Sequence, residues 1–175
     1  NLLLLLDFSS STGELDKPSS LHYQSGDEKT QFEEVLHSVG SIICQYVKDG
    51  VPVYGFGASF PSLSVTETKH FFRIVGSEPS EKVALEADTL CKMYRSTLKV
   101  AKPMEPSSIC PGLKSITEWV KQNQLARTTI YSVAGILTDG ALTDLSEILK
   151  CIVQASSMPV SFIFVTVGTG DMRLS

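Results

Sequence analysis

The stretch LLLLLDFSSSTG, residues 2–13, decides how the rest of this sequence is interpreted. Five consecutive leucines end at Asp7 and are followed by serines, a threonine and a glycine. A continuous apolar run of this length is typical of a strand buried on both faces, as in parallel sheets. It is too short for a membrane-spanning helix, which needs about 20 apolar residues, and it lacks the basic segment that begins a signal peptide. We therefore predict a central, buried strand that ends near Asp7.

Apolar runs of the same continuous character recur along the chain, at residues 51–57, 130–137 and 160–167. Amphipathic helical patterns separate these runs, over segments 27–47 and 81–101 and from about Pro111 and Asp144 onward. Strands that alternate with helices predict an α/β fold: a doubly wound, mostly parallel central sheet with helices on both faces. The short segment 70–75 is predicted as one antiparallel edge strand.

The boundaries between these elements are predicted from local signals. Ser25 and Glu28 have the spacing of a capping box and predict the start of the first helix. Segments 8–24, 58–69 and 102–110 are predicted as the longest loops, which in such folds often carry function.

Bulk composition bounds the class of protein. The chain has 175 residues, a length that suits one hydrophobic core, and its formal net charge of −4 argues against nucleic acid as a partner. We expect residues 1–175 to form a single domain excised from a larger protein, because the chain starts at Asn1 directly on an apolar run. The four cysteines are scattered without a C-x-x-C pair, which favours free, mostly buried thiols and a reducing, intracellular compartment.

Polar residues follow two of the predicted strands where each strand ends. Asp7, Ser9 and Ser11 form the pattern D-x-S-x-S, and Asp139 follows the run at 130–137 in ILTDG. In open parallel sheets the ligand crevice lies at the carboxyl ends of the strands. Carboxylate and hydroxyl oxygens suit a hard cation such as Mg²⁺, although D-x-S-x-S alone is equally typical of a hydrophilic turn. The second acid favours the metal site, since two unpaired carboxylates at one edge would repel each other.

Five segments together resemble the copine family's version of the von Willebrand factor A domain: DFSSSTG at 7–13, SLHY at 20–23, VYGFGA at 53–58, ILTDGALTD at 136–144 and MPVSFIFVTVG at 158–168. The resemblance implies a metal-ion-dependent adhesion site that holds Mg²⁺ or Mn²⁺. Ser9 and Ser11 would be direct ligands, and Asp7 and Asp139 would bind directly or through water. The family's middle-loop threonine corresponds to Ser107 in EPSSICPGL, with Ser108 as the neighbouring alternative.

The same resemblance implies a non-catalytic module that binds an acidic group of a partner protein through the metal. It also implies a cytoplasmic parent protein recruited to membranes by calcium-dependent phospholipid-binding domains outside this chain. A related plant group joins this type of domain to a ubiquitin-ligase finger.

The main alternative is an enzyme, a magnesium-dependent phosphatase in which Asp7 attacks phosphorus. Such enzymes usually carry a second acid two residues after the nucleophile, where this chain has Ser9. Two other residues near the predicted site are given structural roles. His22 is expected to anchor its loop by a hydrogen bond rather than to bind metal, and Asp144, three residues before Glu147, is expected to cap a helix.

Overall fold

The structure, a computed structural model, describes residues 1–74, 83–125 and 130–168. Within these ranges the strands are β1 (Leu2–Asp7), β2 (Val53–Phe56), β3 (Ala58–Phe60), β4 (Val65–Lys69), β5 (Phe72–Arg73), β6 (Lys102–Pro103), β7 (Ser132–Thr138) and β8 (Val160–Thr166). The α-helices are α1 (Gln31–Ile43), α2 (Ala87–Leu98), α3 (Cys110–Leu125) and α4 (Leu145–Ala155). None of these helices is long and apolar enough to cross a membrane.

The main sheet has five strands in the order β5-β2-β1-β7-β8. β1 lies in the middle and pairs in parallel with β2 on one side, where Leu4 faces Val53, and with β7 on the other, where Leu2 faces Val133. β8 is parallel to β7, and β5 is the antiparallel edge strand predicted near residues 70–75. The predicted mostly parallel sheet is therefore confirmed.

Both faces of the sheet are covered by helices, as predicted. Alternate residues of the leucine run point to opposite faces, because side chains along a strand alternate. Leu4 and Leu6 join a core with residues of α1 and α2, including Phe32 and Leu90. Leu5 packs on the other face, against residues of α3 and α4. This is the physical reason that no polar residue interrupts residues 2–6.

A second, small sheet occupies segments that the sequence predicted as loops. β3 pairs antiparallel with β4 and with β6, so residues 58–69 form a hairpin and Lys102–Pro103 adds its third strand. The prediction of a loop was wrong for most of 58–69; at 102–110 it was wrong for Lys102–Pro103 and for Cys110, which begins α3. These strands have two to five residues and β4 is largely exposed, so they lack the continuous apolar run that marked the main sheet.

The first helix begins later than predicted. Its N-cap is Thr30, whose hydroxyl accepts a 3.0 Å hydrogen bond from the Glu33 main-chain N–H. Thr30 and Glu33 have the same spacing as Ser25 and Glu28, and the N-cap nearer the apolar face is the one used. The second helix, predicted over 81–101, is described from Ala87; its predicted first residues, 81–82, lie outside the described residues, as does residue 75 of the predicted edge strand.

Candidate metal centre at the carboxyl edge of the sheet

Asp7 is the last residue of the central strand, and its buried carboxylate accepts hydrogen bonds at both oxygens. Oδ1 accepts hydrogen bonds from the Ser9 N–H at 2.9 Å and the Ser9 hydroxyl at 2.5 Å. Oδ2 accepts one from the hydroxyl of Thr138, the last residue of neighbouring β7, at 2.6 Å. Parallel strands end at the same edge of a sheet, and this places the two residues together.

The two predicted serine ligands continue outward from Asp7. The hydroxyls of Ser9 and Ser11 are 2.8 Å apart. Ser9 is buried and Ser11 is exposed, so the row of oxygens runs from the interior to the surface. A short 3-10 turn, Ser10–Thr12, follows Ser9, and the Thr12 hydroxyl donates a 2.6 Å bond to the Ser9 carbonyl. The D-x-S-x-S segment thus leads into a turn, and it also brings together the side-chain oxygens that could bind a metal ion.

Asp139 lies near Asp7 and the two serines, and its negative charge affects the ionisation of Asp7. Asp139 is half-buried, and its Oδ1 accepts a hydrogen bond from the Ala141 N–H at 2.9 Å. Burial raises the pKa of Asp7 from 3.8 to about 6, and the negative charge of Asp139 adds to that increase. The hydrogen bonds from Ser9 and Thr138 act in the opposite direction. Two acids therefore share one edge, as the sequence predicted, and ionisation of the buried one is unfavourable.

The two middle-loop serines have different surroundings. The Ser108 hydroxyl donates a short hydrogen bond to Oδ2 of Asp144, and the Ser108 N–H donates to His70 Nδ1 at 3.2 Å. Within the described ranges of the chain, the Ser107 hydroxyl makes only one long contact, at 3.5 Å, with Glu105 Oε1. Since the Ser108 hydroxyl is engaged by Asp144, Ser107 has the hydroxyl that is freer to bind an ion.

Hydrogen bonds connect the three loops that carry the predicted ligands. The Ser10 N–H donates to the Met104 carbonyl at 3.4 Å, joining the first and middle loops. The Thr143 hydroxyl donates to the Ser107 carbonyl at 3.3 Å, joining the middle loop to the loop after β7. The Asp7–Thr138 bond completes the connections. Asp7, at the end of β1, and the four loop residues Ser9, Ser11, Ser107 and Asp139 therefore lie in neighbouring segments that hydrogen bonds connect.

The structure can be compared with the sequence prediction at three further residues. Asp144 stands at the N-cap position of α4, but its side chain makes no capping hydrogen bond and accepts from Ser108 instead. Thr138 is among the polar residues that end the strand predicted at 130–137, but the sequence prediction gave it no role in the site. The hydrogen bond predicted for His22 is confirmed, because its Nδ1 lies 2.7 Å from the Tyr94 hydroxyl in the core.

The donor set determines which ions could fit. In residues 1–74, 83–125 and 130–168 no group of three or more His, Cys, Asp or Glu side chains could hold a metal ion. An ion at this edge would therefore need the serine hydroxyls as well as the two acids. Such an all-oxygen set suits a hard cation like Mg²⁺ or Mn²⁺ and disfavours Zn²⁺ or Cu²⁺, which prefer nitrogen and sulfur ligands.

Sequence comparison places the chain among known proteins. A family model described as Copine matches residues 20–174. Copine-A of Dictyostelium discoideum is 28% identical over 98% of the chain, and Copine-C of the same organism is 28% identical over 99%. The nicotinic receptor-associated protein 1 of Caenorhabditis briggsae is 31% identical over 96%. The chain spans only 28%, 32% and 26% of the lengths of these three relatives.

Structural comparison identifies the same type of fold. The manganese-loaded TRAP protein of Plasmodium vivax matches 97% of this chain and 57% of its own chain, with a TM-score of 0.59 and 14% sequence identity. That neighbour has a von Willebrand factor A domain, and at this level of identity the likeness concerns the fold. The chain thus has the fold that the sequence resemblance implied.

Proposed function

Because the chain belongs to the copine family, we propose that it is a non-catalytic protein-interaction module that binds an acidic group of a partner through a metal-ion-dependent adhesion site. Asp7, Ser9, Ser11, Ser107 and Asp139 would hold Mg²⁺ or Mn²⁺ at the carboxyl edge of the main sheet. The ion would supply a positive charge with a coordination position for the partner's carboxylate.

The observation that carries this proposal is the state of Asp7. Its carboxylate is 2% exposed, has a pKa raised to about 6, and lies beside a second acid. A carboxylate in such a position is costly to ionise unless a cation or hydrogen-bond donors compensate. Hydroxyl donors surround it already, and a divalent ion held by Ser9, Ser11 and Asp139 would supply the remaining compensation.

The chain's own residues have distinct parts in this proposal. Ser9 and Ser11 present hydroxyl oxygens in a row that reaches the surface. Asp7 orients that row through its two bonds to Ser9. The two aspartates nearly neutralise a divalent ion in advance, so that a partner carboxylate binds with tuned rather than maximal affinity. Recognition of this kind requires no bond to be broken.

The wider setting follows the family. We propose that the parent protein is a cytoplasmic copine that calcium-dependent phospholipid-binding domains recruit to membranes, and that this chain brings the protein partner. A parent ubiquitin ligase is the alternative architecture. The phosphatase alternative gains no support from the site, because Ser9 occupies the place of the second acid and Asp7 accepts hydrogen bonds at both oxygens.

Thermal unfolding with Mg²⁺, with Mn²⁺ and with chelator tests the proposal. We expect each metal to raise the melting temperature of the unchanged chain, since a ligand that binds only the folded state stabilises it. Asp139→Ala should abolish the increase and keep the fold. Asp16→Ala, which removes an exposed acid from the loop after β1, is the matched control and should respond as the unchanged chain does. An equal response of all three would show that the site is misassigned.

Peptides that each carry one Asp or Glu test the second half of the proposal. We expect them to bind the chain in the presence of Mg²⁺ and to be released by chelator, whereas the matching Asn or Gln peptides should not bind. Binding that survives chelation would contradict recognition through the metal.

A further inference from the structure

His22, in the segment SLHY at residues 20–23, is a buried residue for which the proposed adhesion site gives no role. Only 2% of its surface is exposed. Its ring lies in an aromatic cluster with Phe8, Phe32 and Tyr94, at 5.7 Å from the Phe8 ring and 4.8 Å from the Phe32 ring. Phe8 directly follows Asp7, so the imidazole is packed beside the first residue of the candidate metal centre.

A chain of hydrogen bonds fixes the orientation of this imidazole. Nδ1 is 2.7 Å from the Tyr94 hydroxyl, which is 3.2 Å from the Thr30 hydroxyl. Thr30 in turn accepts from the Glu33 N–H as the N-cap of α1. The ring is thereby connected to α2 through Tyr94 and to the N-terminus of α1 through Thr30, the two helices that cover one face of the sheet.

The second ring nitrogen is the one that Tyr94 leaves unbonded. Nε2 is buried and has no partner with good hydrogen-bond geometry in the described part of the chain. A hydrogen-bonding contact between the ring and the Asp7 main-chain carbonyl nevertheless opposes the effect of burial, which lowers the pKa of His22 to about 4. In the tautomer with its proton on Nε2, Nδ1 accepts from the Tyr94 hydroxyl, and the Nε2–H is the ring group available to the Asp7 main-chain carbonyl.

The loop that carries His22 also contacts the serine turn. The His22 N–H donates to the Ser20 hydroxyl at 3.2 Å, and that hydroxyl donates to the Thr12 carbonyl at 3.2 Å. Thr12 in turn holds the Ser9 carbonyl through its own hydroxyl. Residues 20–22 are thus connected to Ser9 through Thr12, while β7 is bonded to Asp7 through Thr138.

Packing alone does not explain a histidine at this position. A phenylalanine would fill the aromatic cluster without placing an incompletely bonded polar nitrogen in the core, which carries a free-energy cost. That free-energy cost would be offset if the contact between the ring and the Asp7 main chain keeps Asp7 in position. We propose that His22 and Tyr94 are positioning residues that fix the Asp7 main chain and so set the affinity of the site for Mg²⁺ or Mn²⁺. This inference rests on the proposed adhesion site.

Mn²⁺ binding to the whole 175-residue chain, followed by electron paramagnetic resonance of the free ion, tests the proposal. His22→Phe keeps the aromatic packing and removes both nitrogens, and Tyr94→Phe removes a single hydroxyl. We expect each to raise the Kd for Mn²⁺ about 10-fold, the size of effect typical of residues that orient metal ligands. His22→Gln, whose amide can still donate toward Asp7, should recover part of the affinity.

Phe32→Leu is the matched control, because it loosens the same aromatic cluster without removing a polar group. We expect it to lower the melting temperature of the metal-free chain and to leave the Kd unchanged. A spectroscopic measurement complements it: addition of Mg²⁺ should shift the ¹⁵N resonance of His22 Nε2 in the unchanged chain, and the metal-free spectrum should show the proton on Nε2.

Several results would overturn the inference. Tyr94→Phe and His22→Phe could fold and bind Mn²⁺ as the unchanged chain does, or Phe32→Leu could weaken binding as much as His22→Phe. A Kd for His22→Gln no better than that for His22→Phe would also contradict it. If His22→Phe does not fold, Tyr94→Phe decides the question. Failure of the unchanged chain to bind Mn²⁺ would instead overturn the adhesion site itself, and the inference with it.

Discussion

The Thr138 hydroxyl donates a 2.6 Å hydrogen bond to Oδ2 of Asp7, across 131 residues of sequence. Thr138 ends β7 and Asp7 ends β1, so the bond joins two adjacent strands at their carboxyl ends. Oδ2 is thus bonded to β7, whereas Oδ1 is bonded to Ser9. The sheet itself, and not the loops alone, therefore orients the candidate ligand row.

Removal of that hydroxyl should be costly. Thr138→Val leaves Oδ2 of Asp7 buried without a donor, and we expect the free energy of unfolding to fall by about 1–3 kcal/mol in urea denaturation at pH 7. Thr138→Ser keeps the hydroxyl and is the control for the change of shape. Equal stability of the two variants would show that the bond contributes little.

The raised pKa of Asp7 predicts how stability depends on pH. Between its ordinary value of 3.8 and about 6, the folded metal-free chain keeps a proton that the unfolded chain has lost. The contribution of Asp7 to stability is therefore fully present below pH 3.8 and is lost as pH rises to about 6. The loss is up to about 3 kcal/mol, because one pKa unit corresponds to about 1.4 kcal/mol. Asp7→Asn should lack this component when free energies of unfolding are compared from pH 4 to pH 7 with chelator present.

The same pKa predicts proton competition with metal. Mg²⁺ or Mn²⁺ should bind more tightly as pH rises through about 6, since Asp7 then loses its proton. Calorimetric titrations at pH 5 and pH 7 measure this directly. An affinity that is the same at both pH values would indicate that Asp7 takes no part in binding.

The ion pair between α1 and α2 should matter more than a surface pair. Glu33 is 1% exposed, and its carboxylate accepts from Arg95 Nε at 2.9 Å. Arg95→Gln leaves that carboxylate buried without its cation, and we expect the free energy of unfolding to fall by about 2 kcal/mol. The exposed pair of Lys150 and Glu147 provides the control, and Lys150→Gln should give no measurable change in urea denaturation.

Gly57 should be sensitive because it lies against the candidate ligand row. It has a φ of 79°, and a Cβ there would lie 2.8 Å from Cα and N of Ser9. Gly57→Ala should therefore displace Ser9, weaken Mn²⁺ binding and lower the melting temperature. Gly26 also has a positive φ, 60°, but faces open space, so Gly26→Ala reports backbone strain alone. Equal effects of the two substitutions on metal binding would exclude a role for the contact with Ser9.

The central strand was predictable because the same feature, burial on both faces, acts on each residue of the leucine run. Thr30 was missed as the cap since Ser25 has the same local chemistry, and only the position of the packed face distinguishes them. The Ser108–Asp144 bond joins residues 36 positions apart in sequence, and no local pattern predicts such a pairing. The two acids of the site were predictable because parallel strands bring their carboxyl ends to one edge.

The connections around the middle loop have a consequence for sequence divergence. The Met104 N–H donates to the Gly57 carbonyl at 2.9 Å, and the Met104 carbonyl accepts from the Ser10 N–H. Both bonds use main-chain atoms, so the side chain at position 104 does not enter them. Substitutions other than proline that fit this half-buried position therefore keep both bonds, and variation among relatives at 104 is compatible with an unchanged position of the candidate ligand Ser107.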